Sequence, residues 1–494
     1  MQSKHGLTPV FLALFIFPGG NHHAYRHRAT QLSFQSFNNG LGVPLSSDNE
    51  WVQLADMLPW QQLDEAYQLL FTEMGGRAAK PFRLLYGASL IKQAEHLTDR
   101  SVVTAIRDTP AYQYFIGLDT YTTDLPFNHS TLVYFRRRMG QITELVRNII
   151  SDTLREQIQS LLPDDELRVL ITDATAVPIE IRFPQDTSLL NQARLNLEEM
   201  LLDMAHQLQI KPPRTYKREA KAKWTAFARK PRRWAKETRK QIKVQLQYVR
   251  RDLRYIDVLL AHGASLNERQ TKRLAVIREL FDQQMFMYEN RTHRVPGRIV
   301  SLAQPWIRPI NRGKAKQRTE FGPKIDASIA DGMIDIERFD FKAFNESQDL
   351  ATTIDHYFDV HGYYPDEILA DTLYRTRENR QLCQRLGIRL SGPRLGRKPK
   401  KMDAKQRQVD RNAEKRRGKI ERGFAFMKGP LGLSLVRTKT VASIAVTIDI
   451  AINLANLKML LRLFNGPILI FVKYKQESIL IHYQIHVSGS RNVA

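Results

Sequence analysis

The chain has 494 residues, 43% of them apolar, enough to bury a sizeable core and more than one domain. Its 75 Lys and Arg against 51 Asp and Glu leave a formal charge of +24, which favours a polyanionic partner: nucleic acid first, an anionic membrane surface second. A single cysteine, Cys383, excludes an internal disulfide and a cysteine-built zinc site.

Residues 1 to 45 are rich in Gly, Asn, Ser and His with little periodicity and are expected to be disordered. Within them Val10 to Phe17 (VFLALFIF) is too short to span a bilayer. It loosely resembles a signal-peptide core, against the plainer reading of an unstructured extension. From Trp51 to Gly140 the pattern is helical, with Phe82, Leu85, Ala88, Leu90, Ile91 and Ala94 at helical spacing. The turn Leu97-Thr98-Asp99 offers an N-cap for a helix over Arg100 to Ile106, and another helix starts near Ser130 and is followed by Arg136-Arg137-Arg138. Such a basic helical region suits DNA binding or dimerisation, or a helical cap with solvated charges. Gln141 to Leu162 reads as an amphipathic linker helix.

Leu167 to Pro178 (LRVLITDATAVP) is a β-branched strand with Val169, Ile171, Asp173 and Thr175 on one face. After it, Leu190, Ala193, Leu197, Leu201, Met204 and Leu208 form a helical stripe. Ile242, Leu246, Val249, Leu253, Ile256 and Leu260 form the seam of a helical hairpin. Gly263 suits a helix end, Ser265 and Glu268 a capping box for the next helix, and Leu274, Ile277, Phe281 and Met285 its buried side. Between the first two of these helices lies a basic run, Lys211 to Lys240, interleaved with Tyr216, Trp224, Phe227 and Trp234. Lys223, Trp224, Arg232 and Arg233 are its candidate DNA contacts, by phosphate gripping and base stacking. The alternative is a solvated helix whose long side chains lie over a few buried rings.

Strands resume with Glu320 to Ala330 and Met333 to Phe341, joined by the hairpin pair Asp331-Gly332. A helix over Ser347 to His361, capped by Asn345 or Ser347, a strand over Glu367 to Ala370, a helix over Arg377 to Leu386 and a strand over Ile388 to Ser391 complete an α/β core. Pro393 to Lys419 reads as a basic flexible loop or phosphate-contacting arm. Val441 to Leu463 is an apolar helix, and Asp449, Asn453 and Asn456 argue against a membrane span. The tail from Gly466 onward fits no pattern in the core.

The chemistry rests on acids. There is no HExxH motif and no histidine pair beside a cysteine pair, so a catalytic metal would be a hard cation held by carboxylates. If the strands ending in Asp173 and Asp371 are neighbours, their acids meet, and a packed helix can add Glu421. Crowded carboxylates raise one another's pKa unless a cation neutralises them. Two Mg²⁺ ions about 3.5–4 Å apart would do so and align a phosphodiester for in-line displacement. Arg417, Glu421 and Lys428 fall within about 40° on one helix face, the acid for metal and the cations for phosphates. Glu414 is an alternative third acid, out of phase with Lys428; ordinary surface ion pairing is the other reading of this helix.

These motifs together resemble the bacterial insertion-sequence DDE transposases with a ribonuclease-H-like core. The resemblance runs from about residue 45 to 463 through WVQLADMLPW, ITDATAVP, SLAQPWIRPINRGKAKQRTEFGPK, FNESQDL, HGYYPDEILADTLYRTRENRQLCQRLGIRLSGPRLGR and KIERGFAFMKGPLGL. It implies an α/β ribonuclease-H-like mixed sheet with flanking helices, interrupted by a helical insertion after the first strand, plus an N-terminal all-α domain. The expected boundaries are a disordered extension at 1–45 and a helical DNA-binding or dimerisation domain at 46–162. The catalytic core takes 163–183 and 319–463, the insertion 184–318 and a divergent tail 464–494.

The resemblance further implies Mg²⁺-dependent cleavage at terminal inverted repeats, Mn²⁺ substituting, and attack of the freed 3′-hydroxyl on target DNA. Asp173, Asp371 and Glu421 would be the metal-binding catalytic triad, Arg417 and Lys428 phosphate contacts, with Arg375 and Arg377 further DNA contacts beyond the second acid. Glu414 stands where relatives often place tyrosine, and Thr372 where they often place lysine. The expected partners are double-stranded DNA and a second copy of the chain, without a membrane, in a bacterial cytoplasm at the nucleoid. An inactive relative that only binds DNA is the alternative; a secreted or membrane-surface cationic protein is a third reading.

Overall fold

The computed structural model describes residues 25, 33–40, 42, 44–71, 78–159, 161–162, 168–311, 319–391 and 404–465. The apolar run at Val10 to Phe17 and the tail from Gly466 lie outside the described residues. The chain divides into two compact units. One takes the chain up to Leu170 with Ile329–Asp335 and the segment from Ala445; the other takes Ile171–Ser328 and Ile336–Ile444.

In the first unit the helical spacing becomes α1 (Glu50–Met57), α2 (Trp60–Gln68), α3 (Phe82–Ala94), α4 (Asp99–Asp108), α5 (Pro110–Phe115), α6 (Thr131–Met139) and α7 (Thr143–Gln159). Within the turn expected to cap it, Thr98 is the residue that caps α4, which starts at Asp99, and Ser101 returns the bond to complete a capping box. Aromatic packing centres the unit: Phe82 stacks on Tyr86 at 4.9 Å, and Tyr67 meets Phe82 at 5.4 Å and Phe135 at 5.6 Å. Of the stretch up to residue 45, expected to be disordered, the described residues include packed ones. Phe37 is buried, Asn38 pairs with Thr120, and Tyr25 stacks on Phe71 and accepts from the Phe82 amide at 2.8 Å. Isolated rings in a polar run leave no periodicity, yet each buries a large apolar area.

The second unit begins along β1 (Val169–Ala176) and continues through α8 (Asp186–Gln207), α9 (Lys217–Ala228), α10 (Ala235–Ala261) and α11 (Glu268–Glu289). Leu190, Ala193, Leu197, Leu201 and Met204 of α8 pack in one core with Leu246, Val249, Leu253 and Ile256 of α10 and Leu274 and Ile277 of α11. Two details differ from the sequence pattern. Leu259, not Leu260, is the buried leucine at the end of the α10 seam. The α11 capping box is Asn267 with Gln270; Ser265 instead donates its amide to Gln207, and Glu268 pairs with Lys272.

Next come β2 (Pro309–Asn311), β3 (Thr319–Phe321), β4 (Lys324–Ala330), β5 (Met333–Asp340), α12 (Leu350–His361), β6 (Glu367–Leu369), α13 (Arg377–Arg385), β7 (Arg389–Ser391) and α14 (Ala404–Lys428). The strand expected over Glu320 to Ala330 is two. β3 pairs with β2, and the break falls at Gly322, where a Cβ would lie 2.0 Å from the Val177 carbonyl oxygen. Asp331 and Gly332, both at positive φ, make the hairpin turn between β4 and β5. Asn345 caps a 3₁₀ turn, and α12 proper starts at Leu350 rather than Ser347. Of the basic segment Pro393 to Lys419, expected as a flexible loop or a phosphate-contacting arm, the part from Ala404 is the first part of α14. Its buried stripe Ala413, Ile420, Phe424 and Met427 outweighs Gly418 and Gly423. The fold is thus mixed α/β with many helices. Its five-stranded sheet has the order β5-β4-β1-β6-β7, with β6 and β7 parallel.

The last described helix, α15 (Val441–Asn465), is long and apolar enough to cross a membrane by composition, yet most of its apolar window is buried in the protein. The polar residues that interrupt it have partners. Asp449 accepts from Arg147 at 2.7 Å and Thr143 at 2.8 Å, Asn453 donates to Tyr86 at 2.9 Å, and Asn456 exchanges two bonds with the Ile334 backbone.

Candidate active site

β1 is buried from Val169 through Thr172 and opens at Asp173, so the strand delivers its acid to the point where the cover ends. The Asp173 carboxylate accepts from the Ala174 amide at 2.8 Å. β6 lies beside β1. Two residues past its end, Asp371 caps a 3₁₀ turn (Thr372–Tyr374) by accepting from the Thr372 amide. Glu421 comes from α14 and is more than half exposed. Burial raises the Asp173 pKa; the Ala174 bond and Arg417 lower it, and Asp371 and Glu421 raise it. Asp371 and Glu421 thus both act on the Asp173 carboxyl, with β6 beside β1 in the sheet and Glu421 on α14. Among the described residues, no three Asp, Glu, His or Cys side chains lie close enough to hold one metal ion.

Arg417 explains part of that spacing. Its guanidinium donates to Glu414 at 2.7 Å and to Glu421 at 3.0 Å, and these bonds hold it firmly charged. Lys428 donates to Thr175 at 2.7 Å, joining the end of α14 to β1. Arg375 and Arg377 follow Asp371 at the 3₁₀ turn and the start of α13, with Arg377 exposed.

The remaining basic candidates sit on and after α9. Lys223 pairs with Glu219, Trp224 leans against Phe227 at 6.2 Å, and Arg232 is exposed. Arg233 donates to Gln185 at 3.0 Å and to the Ala228 carbonyl at 2.8 Å. The neighbouring α9 face carries exposed Arg218, Lys221 and Arg229 along an open groove of about 480 Å³, floored by Ala222, Thr225 and Ala226.

Behind the acids is a buried cluster without a sequence signal. Tyr374 donates to Asp326 at 2.8 Å, and Thr172 approaches the same oxygen at 3.5 Å. It ties β4 to the residue before Asp173 and to the turn capped by Asp371. A second is Glu367, at the start of β6, held by Arg389, Ser391 and Arg416.

Residues 368–458, which contain Asp371 and Glu421, match the family model of a transposase DDE domain, and residues 43–138 match that of a transposase domain (DUF772). In both matched segments the chain is similar to transposases. It is 29% identical over 187 residues to a Rhizobium meliloti protein described as "Uncharacterized protein ORF8 in nfe locus", covering 37% of this chain and 86% of that protein. No solved structure matches the chain. The transposase family gives the three acids a shared context: two fall within the matched DDE segment, and the third lies on the neighbouring strand.

Proposed function

We propose that this transposase cuts double-stranded DNA at the terminal inverted repeats of its own element and joins the freed 3′-hydroxyl ends to target DNA. The observation that carries the reading is the placement of the three acids: Asp173 on β1, Asp371 just past the adjacent β6, and Glu421 on α14, the last two both acting on the Asp173 carboxyl. The sheet order and the position of these acids support a ribonuclease-H-like core interrupted by the α8–α11 insertion, with an all-α domain before it.

Three carboxylates and no soft ligand suit a hard divalent cation, Mg²⁺ with Mn²⁺ as substitute, and two ions per site. Bound there, the metal would supply charge neutralisation and activation of the attacking oxygen. Asp173 and Asp371 would hold it from the sheet. Glu421 would join after parting from Arg417, for which Glu414 remains as partner. Arg417, Lys428, Arg375 and Arg377 would hold phosphates near the cut. Lys223, Trp224, Arg232, Arg233 and the Arg218–Lys221–Arg229 face would grip flanking duplex, as the surplus of cations favours. Pairing two element ends calls for a homodimer on DNA, acting at the nucleoid of a bacterial cytoplasm without a membrane.

The test uses purified protein, Mg²⁺ and a duplex ending in the element's own repeats, with an active related enzyme as control. Nicking at the repeat ends is expected, and Glu421→Gln should abolish it while leaving DNA binding intact. Absence of cutting by the wild type beside an active control would sink the proposal and leave a DNA-binding protein.

A further inference from the structure

We propose that the Glu367–Arg416 ion pair is a positioning device that fixes the rotation of α14 on the sheet, and so where the Glu421 carboxylate points. Glu367 is the first residue of β6, the strand that leads to Asp371, and its side chain is only 5% exposed. Arg416 donates to one of its oxygens at 2.6 Å; Arg389, also at 2.6 Å, and Ser391 of β7 hold the other. The acid is therefore fully engaged inside the protein, and the strand-borne donors leave one oxygen for the helix.

On α14, Arg416 and Glu421 are five residues apart, which puts them about 140° apart around the helix. The buried stripe Ala413–Ile420–Phe424–Met427 lies between them. Lys428, on the Glu421 side of that stripe, is bonded to Thr175 of β1. The two polar contacts thus hold opposite edges of one helix, Arg416 on β6 and Lys428 on β1. An apolar stripe alone would let the helix roll by a fraction of a residue; a bond to a buried carboxylate on one edge resists this, because opening it leaves one Glu367 oxygen buried without its donor. A roll of α14 carries Glu421 away from Asp173 and Asp371, and a displacement of about 1 Å at a reacting centre costs on the order of 10²-fold in rate.

This inference rests on the proposed metal-dependent cleavage, and the experiment separates the two. Wild type, Glu367→Gln, Arg416→Ala, Arg416→Lys and the double variant Glu367→Gln/Arg416→Ala are compared as full-length protein. Three quantities are read: the nicking rate against Mg²⁺ concentration, the Mg²⁺-induced shift in melting temperature without DNA, and the salt dependence of DNA binding in EDTA. Positioning predicts that Glu367→Gln and Arg416→Ala each lower the rate on the order of 10²-fold. Each also raises the Mg²⁺ needed for half-maximal rate and shrinks the Mg²⁺-induced melting shift. The double variant is no worse than either single one, Arg416→Lys recovers part of the loss, and the salt slope stays put. The idea is overturned if Glu367→Gln nicks normally while Arg416→Ala lowers the salt slope by about one, since Arg416 is then a phosphate contact. It is also overturned if lost activity merely tracks lost folded protein. A wild type that does not nick beside an active control defeats the cleavage reading instead; an active wild type with unaffected variants defeats this inference alone.

Discussion

Asp326 is wholly buried on β4, with one carboxylate oxygen bonded to the Tyr374 hydroxyl and the other without a hydrogen-bond partner. Burial pushes its pKa up to about 8, even though the Tyr374 bond pulls the other way. An unfolded Asp titrates near 3.9, so between about pH 4 and about pH 8 the folded protein holds this proton more tightly than the unfolded chain. The stability this contributes is complete below the unfolded pKa and is lost as pH rises through the folded one, by at most about 1.4 kcal/mol per pH unit. Asp326→Asn, which cannot ionise, should flatten that slope. Urea unfolding at several pH values from about 5 to about 9 measures it; an equal slope in wild type and variant would remove Asp326 as its source. Tyr374→Phe takes away the main donor to this acid and should cost about 1–3 kcal/mol.

At the scale of elements, the apolar stripes of α8 and α10, a cap in the Leu97-Thr98-Asp99 turn and the Asp331-Gly332 turn were legible. Each is written in local spacing or turn chemistry. What escaped depends on contacts far apart in sequence. Glu367 and Arg416 are 49 positions apart, and neither residue is unusual where it stands. Gly322 reads as a breaker only once the Val177 carbonyl is known to press against it. Two glycines make the contrast measurable. At Gly322 a Cβ would sit 2.0 Å from backbone oxygen, which cannot yield cheaply, so Gly322→Ala should destabilise by about 3 kcal/mol or more. At Gly418, inside α14, the Cβ would meet only the flexible end of Arg422 at 3.3 Å. Gly418→Ala should therefore stabilise, by up to about 1 kcal/mol from helix propensity. Paired denaturant melts give both signs; a destabilised Gly418→Ala would mean that α14 needs its glycine for something other than flexibility.

On the scale of the whole molecule, the first unit is assembled from three separate stretches of chain, the long N-terminal part, Ile329–Asp335 and the segment from Ala445. Arg147 of α7 joins all three: it meets Asp335 at 2.8 Å and Asp449 of α15 at 2.7 Å, buried among α-helices. In the sequence Asp449 argued only against a membrane span. It is the counter-ion of a buried arginine whose pKa Asp449 and Asp335 raise against the cost of burial. Removing Asp449 leaves Arg147 with Asp335 alone, so Asp449→Ala should cost about 1–3 kcal/mol. Replacing both partners at once with apolar residues of similar size, Arg147→Met with Asp449→Leu, removes the buried guanidinium and should cost less than the single change, although Asp335 then loses its partner. Equilibrium unfolding of wild type, single and double variants decides between the pair as a net source of stability and the pair as a lock on assembly. A double variant as unstable as Asp449→Ala would show that the ion pair itself stabilises this unit; recovery would show that its worth lies in dictating which three stretches of chain come together.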